Sequence, residues 1–440
     1  MKIKNYPIFL LFTLVMAAST LQAQLGTTIS VNGNLILGPC GDTLLLRGVN
    51  YAPFNWGWSP NQLFMDEIAQ SGSNCVRLPW YRTPAQGTPQ TTYSDLANLD
   101  SALSKCIQYQ LIPILELHDL TCQNDTTALV ATSNWYLEPA LLALIDKYKH
   151  SIILNVANEA LYVNWTGNPA ASQATFVRTY SEIVTNFRNA GITVPIMIDG
   201  PDCGSNLDVL AAVGPTMQLN DPAQNLIFSA HAYWYAFANN DSTQMEAKID
   251  NAIASGIPFV MGEVANLQDD QVLCQYTLNY SPLLHILQAR NIGWLAWSWD
   301  NDGCADRQIT TNGSFSSLTA YGNDILYNID YGIYNFAPAR SAYLFNGGFC
   351  NPVIARDEAQ AAATLKLVPN PSNGKFDILF NHSFLLAKVE VFNAAGQLVH
   401  LSSEAQATRI HLDFEGPAGI YNVKISTDAG DVRVLKLVKI

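Results

Sequence analysis

Ile152-Ile-Leu-Asn-Val-Ala-Asn-Glu159 is the stretch whose reading decides the fold. It is short, rich in β-branched and apolar residues, and it ends abruptly in an amide and an acid. Such a run reads as a strand covered on both faces, the pattern of a parallel sheet packed under helices. Asn158 and Glu159 have little packing value at the carboxyl end of that strand. In a closed parallel barrel, that end is the open mouth. Phe259-Val-Met-Gly-Glu263-Val-Ala265 repeats the design with a second isolated carboxylate.

Outward from these two runs, strand-like and helix-like segments alternate from Leu44 to about Asn328. The strand-like runs are Leu44–Tyr51, Cys75–Trp80, Ile112–His118, Ile152–Glu159, Pro195–Asp199, Leu226–Trp234, Phe259–Val264 and Gly293–Trp299. Between them, apolar residues recur at helical spacing, as in Leu96, Leu99, Leu103, Ile107 and in Phe176, Tyr180, Ile183, Phe187. Gly72, Gly191 and Gly256 stand where helices should stop before the next strand. So even an alternation predicts an α/β fold, a (β/α)8 TIM barrel rather than an open sheet. Val31-Asn32-Gly33-Asn34 carries an Asn-Gly turn signal, and the hairpin it predicts should cap the bottom of the barrel.

Past Cys350 the texture changes. Residues 351–363 read as a polar, small-residue linker. Residues 364–440 hold short β-type runs at Phe376–Phe380, Lys388–Asn393, Ile410–Phe414, Gly419–Ser426 and Val432–Val438, punctuated by Gly and Asn/Asp turns. They predict a small all-β sandwich. The barrel then occupies residues 24–350. Residues 1–23, with Lys2 and Lys4 ahead of the apolar run Ile8–Ala18, read as a secretory signal peptide cleaved near Ala23-Gln24.

Hydrophobic residues make up 49% of the 440-residue chain and charged ones 13%, which excludes disorder and suits a large core. A formal charge of −13 argues against nucleic acid and anionic membrane surfaces as partners. No stretch after the leader is long and apolar enough to suggest a membrane span, and a monomer is expected. The eight cysteines lack any Cys-x-x-Cys pair, and His-Glu-x-x-His is absent. No metal or other cofactor is therefore expected, and the cysteines read as disulfides or structural thiols.

Taking strand ends as the mouth gives the candidates Asn50, Arg77, His118, Asn158, Glu159, His231, Tyr233, Glu263, Trp297 and Trp299. Each has a bland explanation alone, as core residue or local neutraliser. Together they would put groups that are costly to bury on one rim. Eight tilted strands ~4.8 Å apart give a barrel radius of roughly 7–8 Å. Inward glutamates on the fourth and seventh strands would then hold their carboxyls about 5 Å apart. Retaining glycosidases keep the pair ~5–5.5 Å apart, inverting ones ~6.5–9.5 Å. Arg77 and Tyr233 are suited to hold Glu263 as the anion, which would leave Glu159 protonated as general acid. Asn158 could hydrogen-bond a sugar 2-hydroxyl. Trp297 and Trp299, two apart on one strand, should share a face and form a platform for a sugar ring.

These residues carry a resemblance. Arg47-Gly-Val-Asn50, Asn74-Cys-Val-Arg77, Glu116-Leu-His118-Asp119, Asn158-Glu159, His231-Ala-Tyr233, Gly262-Glu263 and Trp297-Ser-Trp299 fall in the order of glycoside hydrolase family 5. The chain resembles its retaining endo-β-glycanases across nearly all of residues 25–350. By that resemblance Glu159 corresponds to the acid/base and Glu263 to the nucleophile. Arg77, His118, Asn158, His231, Tyr233 and one of the two tryptophans correspond to the supporting shell. Ala160 stands where the family usually has Pro, and Val264 where an aromatic is common. The resemblance leans to bacterial β-mannanases, with a β-1,4-glucanase as the alternative and a non-catalytic glycan-binding barrel as the rival outside the enzymes.

The tail, with Pro369-Asn370-Pro371, Gly396-Gln-Leu398, Pro417-Ala-Gly-Ile-Tyr421 and a closing Lys-Leu-Val-Lys-Ile440, resembles the C-terminal sorting domain of type IX secretion. A carbohydrate-binding module is the competing reading, but the tail holds no Trp. The resemblances together imply a secreted or surface-attached enzyme whose partners are a polysaccharide and the type IX machinery.

Overall fold

A computed structural model describes residues 28–53, 63–82, 95–234, 237–338, 344–345, 365–380, 386–393, 397–405, 409–427 and 432–440. The signal-peptide and linker expectations lie outside these residues. In chain order the strands are β1 (Ser30–Asn32), β2 (Leu35–Leu37), β3 (Arg47–Asn50), β4 (Cys75–Trp80), β5 (Ile112–Leu117), β6 (Ile153–Asn155), β7 (Ile196–Asp199), β8 (Leu226–Ala232), β9 (Phe259–Val264) and β10 (Gly293–Ala296). Strands β3 to β10 close a barrel in sequence order, every neighbouring pair parallel. The helices between them are α1 (Met65–Gln70), α2 (Leu96–Gln108), α3 (Thr126–Ser133), α4 (Pro139–Tyr148), α5 (Pro169–Asn189), α6 (Leu207–Asn220), α7 (Ser242–Ala254) and α8 (Tyr280–Ala289), with α9 (Ala320–Tyr327) after β10.

Sequence periodicity becomes layering inside the barrel. Ile112, Ile153, Met197, Ile227, Val260 and Leu295 each point inward from a different strand and form a fully apolar floor. Ile29 and Ile36 of the hairpin segment pack on that floor from below, as the Asn-Gly turn implied. Each such Ile or Leu contributes about 1.5–3 kcal/mol by leaving water. The alternate residues, among them Val76, Leu78, Leu115, Leu117 and Ile198, face the helices in the outer core. Two to four residues above the floor the inward positions turn polar, and that is where the site begins.

The fourth run is a shorter strand than its apolar pattern suggests, because β6 pairs only through Asn155. Beyond it the chain keeps isolated bonds, Val156 N–H to Met197 O and Asn158 N–H to Leu117 O, and then turns at Glu159, whose φ is 51°. Apolar composition is the same for ladder strand and buried loop, so it marked burial rather than pairing.

The C-terminal residues form two antiparallel sheets from β11 (Leu365–Val368), β12 (Lys375–Phe380), β13 (Leu386–Phe392), β14 (Leu398–Ala405), β15 (Arg409–Asp413), β16 (Gly419–Thr427) and β17 (Val432–Lys439). Phe376, Ile378, Val389, Val391, Val423 and Ile425 meet in their shared core. Strands β11 and β14 were not expected. Edge strand β14 leaves Leu398 and Leu401 exposed, so it lacks the in–out contrast that reveals a strand in sequence. Among the described residues no single helix is long and apolar enough to cross a membrane.

Candidate active site

The polar layer is organised by Arg77, fully buried on β4. Its Nε donates to Asn155 Oδ1 (2.8 Å), and Nη2 donates to Asn158 Oδ1 (2.8 Å) and Asp199 Oδ2 (3.1 Å). Nη1 donates to Asn50 Oδ1 at 3.1 Å and grips Glu263 Oε1, with Glu116 Oε2 3.7 Å away. One guanidinium thus serves strands β3, β4, β5, β6, β7 and β9, a task for a rigid fork of five donors and not for an ammonium.

Glu263 reaches this layer through an irregularity of β9. Against β8 the register runs Ala230 to Met261 and then His231 to Glu263, and β10 skips a residue at the same place. Strand β9 therefore carries one extra residue, a bulge that re-aims the next side chain. Strict alternation from inward Val260 would have sent Glu263 out to the helices. Glycine is required at 262, because a Cβ there would stand 2.2 Å from Ser229 Oγ. The other carboxylate oxygen, Oε2, accepts from Tyr233 Oη. Burial, and then the neighbouring Glu263, push the Tyr233 phenol far above its ordinary pKa, so it stays a donor.

Glu159 sits across the mouth, with one of its oxygens, one of Glu263's and a nitrogen of His231 all within 4.8 Å of one another. His231 Nδ1 lies 2.7 Å from Glu159 Oε1 and 3.6 Å from Glu263 Oε2. The surroundings of the two acids differ in kind. Burial raises Glu159 to about 8, and no guanidinium touches it. Burial also raises Glu263, against the pull of His231 and of the guanidinium in direct contact. Burial holds His231 below its ordinary value, so it is neutral near pH 7. At His118 burial lowers and Glu116, 3.0 Å away, more than compensates, so this imidazole sits above its usual value. Burial with no guanidinium in contact makes Glu159 the acid that keeps its proton.

By spacing, Glu159, His231 and Glu263 could also hold a metal ion. Both oxygens of Glu263 are, however, already taken by Arg77 and Tyr233, which leaves a poor donor set.

Above the pair opens a cleft of ≈ 690 Å³, lined by Tyr81, His118, Asn158, Glu159, His231, Tyr233, Glu263 and Trp297 from the mouth and by Trp165 and Trp234 from the loops. Trp297 stacks on His118 (centroids 6.0 Å, 18° between planes) and meets Tyr233 edge-on. Its Nε1 donates to Asp302 Oδ2 at 2.6 Å, and Asp302 Oδ1 accepts from Arg307 Nε. Trp299 corrects the expectation of a two-ring platform. It is fully buried in the outer core, its Nε1 donating to Gly313 O, and it lines no part of the cleft. Strand β10 stops at Ala296, and Ser298 bonds to the 307–309 segment, so the two-residue alternation does not extend to residue 299.

Sequence reasoning passed over Glu116, Asn155, Asp199, Arg307, Trp165 and Trp234. Asp199 was within reach, since an acid closing the fifth strand-like run obeys the rule that found Glu159. Arg307 and Trp165 lie on loops, where no period marks them.

An eight-stranded parallel barrel with two buried acids facing across its mouth defines a class, the barrel-fold glycosidases. The chain matches the family described as cellulase (glycosyl hydrolase family 5) over residues 39–303, well over half its length. It belongs to glycosyl hydrolase family 5 and is a glycoside hydrolase. A mannan endo-1,4-β-mannosidase of Salipaludibacillus agaradhaerens is 26% identical over 303 residues, which cover 68% of this chain and 91% of that protein. Another from Cellvibrio japonicus is 27% identical over 330 residues, 72% of this chain and 69% of that one. The barrel superposes on the catalytic domain of a mannanase from Streptomyces sp. SirexAA-E with a TM-score of 0.62, at 22% identity, over 74% of this chain and 97% of that one. At that identity the likeness shows the fold. Residues 366–439 match a secretion system C-terminal sorting domain. The enzyme is therefore exported, to the medium or the cell surface.

Proposed function

We propose that the protein hydrolyses internal β-1,4 linkages of β-mannan with retention of configuration. Glu263 attacks the anomeric carbon while Glu159 delivers its proton to the leaving glycosidic oxygen. Glu159, now a carboxylate, takes a proton from water, which attacks the anomeric carbon, breaks the ester to Glu263 and returns the site to its starting state. The observation that carries this reading is the pair itself. Two carboxylates lie within 4.8 Å, one gripped by Arg77 and Tyr233, the other buried without a cation and lifted to about 8. A nucleophile and a general acid need those opposite states. Arg77 holds the pair from below, as part of the substrate-binding shell, while His118, Asn158, His231 and Tyr233 line the cleft where they meet the sugar, with Trp297 as the ring beneath it. All these residues come from one chain, in keeping with action as a monomer.

Mannan is favoured by the names of the relatives. The test is release of reducing ends from β-mannan, galactomannan, glucomannan and carboxymethylcellulose by the purified protein, with Glu263→Ala as control. Activity on mannan, lost in the variant, with the first product in the β configuration by NMR, is expected. Clean inversion would overturn the mechanism. Activity on carboxymethylcellulose alone would make the enzyme a glucanase, and polymer binding without release of ends would make it a binding barrel.

A further inference from the structure

The wall of the cleft contains a disulfide that the proposed reaction does not use. Cys122 follows β5 and Cys203 follows β7, and the two are bonded. Their bridge crosses the end of β6, the strand that lies between those two and leads into Glu159. Both cysteines face the cleft, and Cys122 Sγ lies 3.2 Å from Glu159 Oε2. A disulfide sulfur has no proton to donate, so this contact withholds water from the carboxyl without replacing its hydrogen bond. On the next side, a Cβ at Gly204 would come within 3.1 Å of Glu159 Cγ and 2.7 Å of His231 Nδ1, so the backbone after Cys203 presses directly on the acid.

The three loops that meet here are laced together. Leu161 N–H donates to Gln123 O, and Asp202 N–H to Leu161 O. The Asp202 carboxylate accepts from the backbone N–H groups of Val163, Asn164 and Trp165, and Tyr162 Oη donates to Cys122 O. Five non-glycine residues of the junction are left-handed, Cys122 (55°), Glu159 (51°), Leu161 (72°), Asp202 (60°) and Cys203 (53°). Such conformations persist only where the surroundings over-determine them. The covalent bond ties the first loop directly to the third. The second disulfide near the mouth, Cys274–Cys304, joins the loops after β9 and β10 and touches neither acid.

We propose that the Cys122–Cys203 disulfide is a positioning element for Glu159: it fixes the loop that aims this acid and walls its carboxyl from water, so that acid catalysis depends on the bond being intact. The proposal rests on Glu159 as the general acid. The charged and titratable groups facing Glu159 are Arg77 on β4, Glu116 on β5 and His118 just after it, Asp199 on β7, His231 on β8 and Tyr233 just after it, and Glu263 on β9. None of them changes when the cysteines do. Burial is the largest influence on Glu159, so admitting water there should bring its pKa down towards the ordinary range.

The test compares the full chain with Cys122→Ser/Cys203→Ser and Cys274→Ser/Cys304→Ser. Each is assayed for kcat/KM against pH, on the polymer and on a dinitrophenyl β-glycoside of a disaccharide of the same sugar. The dinitrophenolate leaves without protonation, so that substrate needs little acid help. For the Cys122/Cys203 variant the alkaline limb should move down by about one pH unit or more, costing roughly tenfold on the polymer above the limb. The aryl glycoside should lose less than about threefold. The Cys274/Cys304 variant should lower Tm and leave the limb in place. If the Cys122/Cys203 variant does not fold, the Cys274→Ser/Cys304→Ser enzyme treated with dithiothreitol, compared with the same enzyme untreated, reports the same limb. The reagent is oxidised to its own disulfide as the two cysteines gain two electrons and two protons. An unmoved limb with equal losses on both substrates would reduce the bridge to a structural staple. If Glu159→Ala itself loses as much on the aryl glycoside as on the polymer, the assignment of Glu159 falls instead.

Discussion

Gly262 and Glu263 are consecutive residues of β9, yet both face the inside of the barrel, because β9 has one residue more than either neighbour between Met261 and Val264. The proposed nucleophile is aimed by this bulge, and the bulge fits only because residue 262 has no side chain. Gly262→Ala should therefore cost about 1–3 kcal/mol of stability, the usual penalty for overpacking, and at least tenfold in kcat. Removing the obstructing oxygen in Gly262→Ala/Ser229→Ala should return part of both. Urea unfolding and initial rates on the polymer check this, and a single variant of full activity would show that the bulge does not aim Glu263.

Arg77 is the next dependency. Arg77→Met would leave Glu116, Asp199 and Glu263 buried without their cation, and breaking such a set costs ~3–5 kcal/mol. Arg77→Lys keeps the charge but cannot serve Asn50, Asn155, Asn158 and three acids at once. The lysine variant should fold, lose about 10²-fold or more in kcat, and change KM little, since it alters the acids rather than the ring that receives the sugar. Steady-state kinetics beside a thermal melt separates the two variants. A fully active lysine enzyme would contradict the fork argument.

How much of this was legible in the chain follows from what periodicity can encode. Barrel strands buried on both faces announce themselves as apolar runs, and the polar residues set within or at the carboxyl ends of those runs marked Arg77, His118, Glu159, His231 and Glu263. The bulge was not legible, because a slip of one residue leaves composition untouched. For the same reason the alternation argument failed at Trp299, where the strand had already ended at Ala296. The cleft walls at Trp165, Trp234 and Arg307 lie on loops whose direction comes from tertiary bonds, such as the three that Asp202 accepts from residues 163–165. A single buried acid at Asp199 needed only a wider application of the rule already in hand.

The protonation of Glu159 gives a pH dependence with a definite sign. Its folded pKa is about 8, above the ~4.3 of a free glutamate. Between those values the unfolded chain releases a proton that the folded chain keeps, so stability falls as pH rises through this window. Glu159→Gln cannot titrate. Its Tm relative to wild type should climb from about pH 4.5 to 8 and level off above. The same group should end kcat/KM on the alkaline side near pH 8, and because burial also raises Glu263, the acidic limb should lie above the ordinary carboxylate range. Calorimetry in a pH series and a kcat/KM profile test both. A Tm difference that stays flat across the window would mean that Glu159 is ionised in the fold.

The two tryptophans of the last run should separate cleanly, since one lines the cleft and the other packs in the outer core. Trp297 is held in its orientation by His118, Tyr233 and Asp302, all of which line the cleft. Removing its ring deletes an apolar face that a pyranose would cover, so Trp297→Ala should lose roughly tenfold or more in kcat/KM with a modest change in Tm. Trp299 is packed in the outer core, and truncating a ring there costs ~3–5 kcal/mol. Trp299→Phe refills most of that space without the bond to Gly313 and should stay within about threefold of wild-type activity while melting several degrees lower. Kinetics and melts on both variants decide between the roles. If Trp299→Phe loses substrate affinity and Trp297→Ala does not, the sugar meets the other ring.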